Sequence, residues 1–197
     1  MTSTHLTRGT GLLEAFLAQL RARKANDLIP QQIRSGRILD IGCGSYPYFL
    51  SHTSFSEKFA IDQQKPSDSF ADIDWQVLDL DGRPNLPFQD EFFSAVSLLA
   101  VVEHLNPKNL VCLFDEIHRI LLPNGILVLT TPAAWSNNLL KLMARLRLVS
   151  PEEISEHVYA YTLPLLGWYF GRAGFSMEKV RFGYFEIGLN LWAVAQK

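Results

Sequence analysis

The sequence predicts an α/β protein built on a mostly parallel sheet with helices on both faces. Three observations carry this. Short, nearly continuous apolar runs, the pattern of strands covered on both sides, alternate with segments of helical periodicity. Glycine, proline or aspartate stops most of these runs. At the C-terminal end, two strand-like runs lie close enough in sequence for an antiparallel pair.

Taken in order, LLEAFLAQLRARK (Leu12 to Lys24) places Leu12, Leu13, Phe16, Leu17 and Leu20 on one side of a helix that lies against the main domain. Arg21, Arg23 and Lys24 fall in its expected last turn, where cations suit the helix dipole, and Pro30 ends the region. RILDI (Arg37 to Ile41) is the first strand, KFAID (Lys58 to Asp62) the second, IDWQVL (Ile73 to Leu78) the third, and Ser94 to Val102 the fourth. Asn106 caps the next helix and Pro107 suits its first turn. Leu110, Leu113, Phe114, Ile117 and Leu121 form its inner face, and Pro123-Asn124-Gly125 ends it. ILVLT (Ile126 to Thr130) is the fifth strand. Pro164 to Gly174 is a helix, and Met177 to Phe182 and Asn190 to Ala195 are the terminal pair. Ala133 to Pro151 is the one irregular piece. The chain therefore divides into an N-terminal helical extension, residues 1–36, and a main domain, residues 37–197.

Length and composition exclude several classes. A chain of 197 residues is one domain with a small appendage and buries roughly 70% of its unfolded surface without any staple. The two cysteines, Cys43 and Cys112, form no CxxC pair, which argues against a disulfide framework and a cysteine zinc site. A net charge of −2 argues against a nucleic-acid partner. The longest apolar stretch, AVSLLAVV, is too short to span a bilayer as an integral membrane segment, and MTSTHLTRGT has no signal-peptide core. The expectation is a soluble, cytoplasmic protein.

The segment RILDIGCGSYPYF carries the strongest chemical signal. Asp40 ends a strand and Gly42 and Gly44 form the turn after it, where glycine lets the backbone approach a ligand and a following helix N-terminus offers free N–H groups. A dinucleotide fingerprint would need a third glycine where Pro47 stands, which disfavours a nicotinamide-dependent oxidoreductase. Asp62 closes the second strand 22 residues after Asp40, where a carboxylate accepts from both hydroxyls of a ribose. Asp79 closes the third strand and suits an adenine amino group, with Asp81 as a competing choice.

The order ILDIGCG, FAID, VLDLDGRPNLPFQDEFF, LLAVVEHL and EIHRILLPNGILVLTTP resembles the class I S-adenosylmethionine-dependent methyltransferases, type 11 branch, from about Arg37 to Lys197. The resemblance implies a Rossmann-like seven-stranded sheet whose last strand is antiparallel, and S-adenosylmethionine as cofactor. It implies that Asp40, Gly42 and Gly44 form the cofactor loop and that Asp62, with Gln63, holds the ribose. Asp79 and the backbone at Leu80 would meet the adenine, Leu99 and Ala100 would pack near the methionine part, and Arg119 would be structural. The chain departs from the pattern at Tyr46, where a third loop glycine is common, and at Ser94, where an aspartate is usual.

Methyl transfer from a sulfonium is an in-line displacement that needs an acceptor held within about 3–3.5 Å, and for an oxygen or protonated nitrogen also a base. Glu103 and His104 follow the fourth strand, and His157 resembles a histidine that many family members carry before their penultimate helix. His104 is the favoured base, with Glu103 and His157 orienting it or binding the acceptor. A supporting, packing role is the competing reading for each. No HxxxH or HxH spacing occurs, so no metal is expected. EHLNPK replaces the [Asn/Asp]-Pro-Pro-aromatic run of DNA and protein-amide methyltransferases, which favours a small-molecule acceptor. A non-catalytic S-adenosylmethionine-binding protein is the alternative. Residues 133–150 place Trp135, Leu139, Leu142, Met143 and Leu146 on one face. Three readings compete for this segment: a lid, a homodimer contact, or a peripheral membrane contact.

Overall fold

The computed structural model describes residues 12–80, 85–155 and 159–197. Seven strands form one sheet: β1 (Arg37–Ile41), β2 (Glu57–Asp62), β3 (Ile73–Val77), β4 (Phe93–Leu99), β5 (Leu121–Pro132), β6 (Val180–Phe185) and β7 (Asn190–Gln196). The helices are α1 (Glu14–Leu28), α2 (Tyr48–Ser51), α3 (Pro107–Ile120), α4 (Asn137–Arg145), α5 (Pro151–Ser155) and α6 (Leu163–Arg172). Strand order is β3-β2-β1-β4-β5-β7-β6. The β1–β2, β2–β3, β1–β4 and β4–β5 pairs are parallel, and β7 runs antiparallel to both β5 and β6. The chain leaves β1 for one edge and returns at β4 to build the other. This reversal opens a crevice beyond the carboxyl ends of β1 and β4.

Side chains alternate across the sheet with the period of two that strands impose. Leu39, Ile41, Val96 and Leu98 face a core that also holds Leu110, Leu113 and Phe114 of α3 and Phe170 of α6. Ile38, Ala60, Ala95 and Val128 face the other way, onto Ala22, Ala25 and Leu28 of α1. Asp40 shares the parity of Ile38, so its carboxyl is directed to the α1 side.

Several boundaries differ from those the sequence suggests. Helix α1 runs to Leu28, so Arg21, Arg23 and Lys24 lie inside it and no cation occupies its last turn. Its buried residues are Glu14, Ala22, Ala25 and Leu28, whereas Leu12 and Phe16 of the expected leucine row are exposed. Ala22, Ala25 and Leu28 make the contact, on the helix face that packs on β4 and β5. Strand β4 stops at Leu99, three residues early, because Ala100 turns into the left-handed region at φ 58°. The irregular piece contains α4 and ends where α5 begins, at Pro151. Residues Met177–Lys179 form a 3-10 turn that precedes β6. At α3 the expected cap is present: the Asn106 side chain accepts from the Lys108 N–H at 3.0 Å, with Pro107 in the first turn.

Ser94, the departure from the family pattern, is buried with its Oγ 2.9 Å from the Ile33 carbonyl and 2.8 Å from the Arg37 carbonyl. Two acceptors call for a donor, which a carboxylate would not supply. Gly36 matches it, since a Cβ there would come within 2.5 Å of the Ser94 Oγ.

Arg119 ties the approach to β4 onto α3. Its guanidinium donates to Glu116 through Nε (2.8 Å) and Nη2 (2.7 Å), to the Phe88 and Leu86 carbonyls at 2.8 and 3.1 Å, and to Asp90 at 2.8 Å. Glu116 also accepts from the Leu86 N–H at 2.9 Å. Hydrogen bonds to charged groups contribute about 1.5–3 kcal/mol each at best, and this group is partly solvated. An Arg119→Ala protein is expected to lose about 2 kcal/mol in urea unfolding. A change under about 0.5 kcal/mol would show that the clamp is superficial.

Candidate functional site

The turn after β1 is shaped by two glycines in the left-handed region, Gly42 at φ 76° and Gly44 at φ 70°. A Cβ on Gly42 would lie 2.5 Å from Val101 Cγ2, so no larger residue fits beneath the loop. Gly44 differs: no heavy atom lies within 4 Å of where its Cβ would be, and it lines open space.

Asp62, buried at the end of β2, fixes this loop. Its Oδ2 accepts from the Gly44 N–H at 2.8 Å and its Oδ1 from the Gln64 N–H at 2.9 Å. Tyr46 accommodates the missing third glycine by packing edge-on against Phe70, ring centroids 5.6 Å apart. Pro47 precedes α2, which is a single turn of four residues.

Asp40 is the floor of the site. It is the register partner of Ser97 on β4, whose hydroxyl donates to Asp40 Oδ1 at 2.7 Å. Burial pushes the Asp40 carboxyl up to about 7; the Ser97 hydrogen bond works against this and the nearby Asp62 charge adds to it.

A cavity of about 280 Å³ opens above this floor. On one side it is lined by Asp40, Gly42, Gly44, Asp62 and Gln63, and further along by Asp79, Leu80, Leu99 and Ala100. Glu103 and His104, on a 3-10 turn (Val102–His104), line it beyond Ala100. Glu103 is buried and its Oε2 accepts from the Thr131 hydroxyl at 3.0 Å. Tyr161 is buried nearby, and burial pushes its phenol above the ordinary range. The structure thus brings every sequence-selected site residue to one cavity except His157, which lies outside the described residues. Among the described residues no group of three or more His, Cys, Asp or Glu side chains is placed to hold a metal.

Sequence reasoning missed the α1 and hairpin parts of the opposite wall and named only the segment after β5, as a lid among three readings. Leu17, Ala18 and Arg21 of α1 line the cavity, together with Leu140, Val149 and Ile154 from the segment after β5. Glu14 latches these pieces: its Oε1 accepts from the Ser150 N–H at 2.8 Å. The one available signal was a carboxylate interrupting the apolar run LLEAFL. Glu186 and Asn190, at the β6–β7 hairpin, complete the wall, with the Asn190 amide donating to Glu186. Burial raises the Glu186 carboxyl, opposed by the Arg21 charge and the Asn190 contact.

A family model described as a methyltransferase domain matches residues 13–180. The fold is shared with an S-adenosylmethionine-dependent methyltransferase from Mesorhizobium loti (TM-score 0.68, 16% identity, covering 92% of this chain and 100% of that one). It is also shared with a methyltransferase from Archaeoglobus fulgidus (TM-score 0.66, 17% identity, 92% and 94% covered). A third similar structure is 1,6-didemethyltoxoflavin-N1-methyltransferase from Burkholderia thailandensis, with bound 1,6-didemethyltoxoflavin and S-adenosylhomocysteine (TM-score 0.66, 16% identity, 93% and 81% covered). Comparison with the curated proteins finds no match.

The raised Asp40 carboxyl has a pH signature. Below about 4 both folded and unfolded chains hold the proton. Between about 4 and 7 the unfolded chain releases it while the folded one retains it, so stability falls. The full penalty, of order 4 kcal/mol, is reached above about 7. Urea unfolding from about pH 5 to pH 8 should therefore show a decline that Asp40→Asn removes. Parallel curves for the two proteins would contradict the buried-carboxyl assignment.

Proposed function

The chain belongs to the methyltransferase domain family, and from that premise we propose that it is an enzyme transferring a methyl group from S-adenosylmethionine to a small-molecule acceptor. The observation that supports this most is a single cavity lined by the Gly42–Gly44 loop, three strand-end carboxylates and the Glu103–His104 turn. The type 11 likeness of ILDIGCG and EIHRILLPNGILVLTTP belongs to the same reading.

The residues present fit the group. Gly44 leaves its Cβ position open to the cavity, Asp62 lines it as a carboxylate at the end of β2, and Asp40 places a buried acid where a cationic ligand gains from it. When bound, S-adenosylmethionine supplies a methyl carbon already activated by its sulfonium. Asp62, with Gln63, holds the ribose. Asp79 and the Leu80 backbone hold the adenine, and Leu99 and Ala100 pack on the methionine part. The kink at Ala100 ends β4 and sets the Glu103–His104 turn at the acceptor side. His104 removes the acceptor proton. Glu103, held by Thr131, orients the acceptor or the imidazole, and His157 keeps its sequence-based role as a second orienting group. The wall made by α1 and α4–α5 excludes water from this end.

Titration calorimetry with S-adenosylmethionine tests the assignment. Asp62→Ala should weaken binding by at least tenfold, the loss of one or two charge-assisted hydrogen bonds. Affinity should rise with pH up to about 7, because a cationic ligand favours ionised Asp40, and Asp40→Asn should flatten this rise. His104→Gln should keep cofactor affinity while lowering turnover on an acceptor by about a hundredfold or more. Unchanged affinity in Asp62→Ala would refute the ribose role, and absence of turnover on any acceptor would favour a binding protein.

A further inference from the structure

The outer side of the wall that encloses the cavity is apolar and cationic. In α4, Leu139, Leu142 and Leu146 recur at helical spacing and are 40%, 51% and 61% exposed, while Leu140 and Ala144 turn inward. Trp135, on the turn before α4, is 59% exposed. Two further segments meet this face. The N–H groups of Leu12 and Leu13, just before α1, donate to the Arg147 and Leu148 carbonyls at 3.3 and 2.9 Å, which brings exposed Leu12 and Phe16 beside it. At the β6–β7 hairpin, a Cβ on Gly188 would lie 3.4 Å from the Trp135 ring, and neighbouring Ile187 is fully exposed.

Charge decides what covers this face. Between Ala133 and Ser150 there are three cations, Lys141, Arg145 and Arg147, and no aspartate or glutamate. All three are exposed, and none forms a direct ion pair with another described residue, although the Arg147 charge acts on Glu152 just beyond the segment. A two-fold dimer through this patch would set three cations against three, since the same surface faces itself. An anionic bilayer satisfies both features: the leucines and Trp135 enter the headgroup boundary and the cations meet lipid phosphates. No helix among the described residues is long and apolar enough to cross a membrane, so the contact is peripheral. We propose that the surface formed by α4, Leu12, Phe16 and the Ile187 hairpin tip docks this protein onto an anionic membrane surface, with the cavity wall facing the lipid.

Co-sedimentation of the full chain with vesicles tests this without cofactor or acceptor, so its outcome is independent of the methyltransferase reading. Binding to vesicles of phosphatidylcholine with phosphatidylglycerol is expected, weakened by salt and much weaker with phosphatidylcholine alone. Each cation removed should cost roughly fivefold in partition, and the triple reversal Lys141→Glu, Arg145→Glu, Arg147→Glu more than about a hundredfold. Leu142→Ser with Leu146→Ser should also release the protein. Circular dichroism and urea unfolding of the same variants confirm that they are folded. No sedimentation of the wild type with anionic vesicles, or equal sedimentation of the charge-reversed variant, would overturn the proposal. So would a dimer in light scattering that Leu142→Ser abolishes.

Discussion

The hydrogen bond between Ser97 and Asp40, 2.7 Å long across the β1–β4 pair, is the contact on which the site depends. It joins the two strands at which the sheet reverses its order, and it lies at the floor of the crevice that the reversal creates. A carboxyl buried with a hydroxyl for a partner and a second carboxylate nearby is poorly suited to carry a charge. Such a group is costly in a purely structural role. On the proposed reading it becomes favourable when a positive ligand enters, and the floor of the cavity favours a cation above it.

The remaining wall is a composite of segments distant in sequence. Glu14 holds Ser150 across 136 positions, and the hairpin at Glu186 and Asn190 closes the gap. The pieces surround the end of the cavity near Glu103 and His104. Their inner residues combine aliphatic side chains with Glu14, Arg21, Glu186 and Asn190, and their outer residues include leucines, Trp135 and cations. One set of segments therefore both encloses the end of the cavity near Glu103 and His104 and presents the apolar, cationic outer face.

Much of this was readable in the residues. The strand-end positions Asp40, Asp62 and Asp79 followed from apolar runs that stop at a carboxylate, and the loop from the two glycines of IGCG. These are local signals, in which the residue and its structural cause lie within a few positions. The cap at Asn106 was legible for the same reason. The α1 interface was not. LLEAFL advertises a leucine face, yet Ala22, Ala25 and Leu28 make the contact, on a face set by packing against β4 and β5 that one segment alone does not record. The early end of β4 at Ala100 was hidden too, since Val101 and Val102 continue the apolar run although the backbone has already turned. The Glu14 latch and the hairpin wall depend on tertiary contacts that no local pattern records.

A crystal structure of the protein grown with S-adenosylhomocysteine would test the central claim most directly. The account predicts the nucleoside in the cavity above Asp40, its ribose hydroxyls on Asp62 and its adenine beside Asp79 and Leu80. Density for the ligand elsewhere on the molecule, or a cavity closed by Tyr46 at saturating ligand, would contradict it.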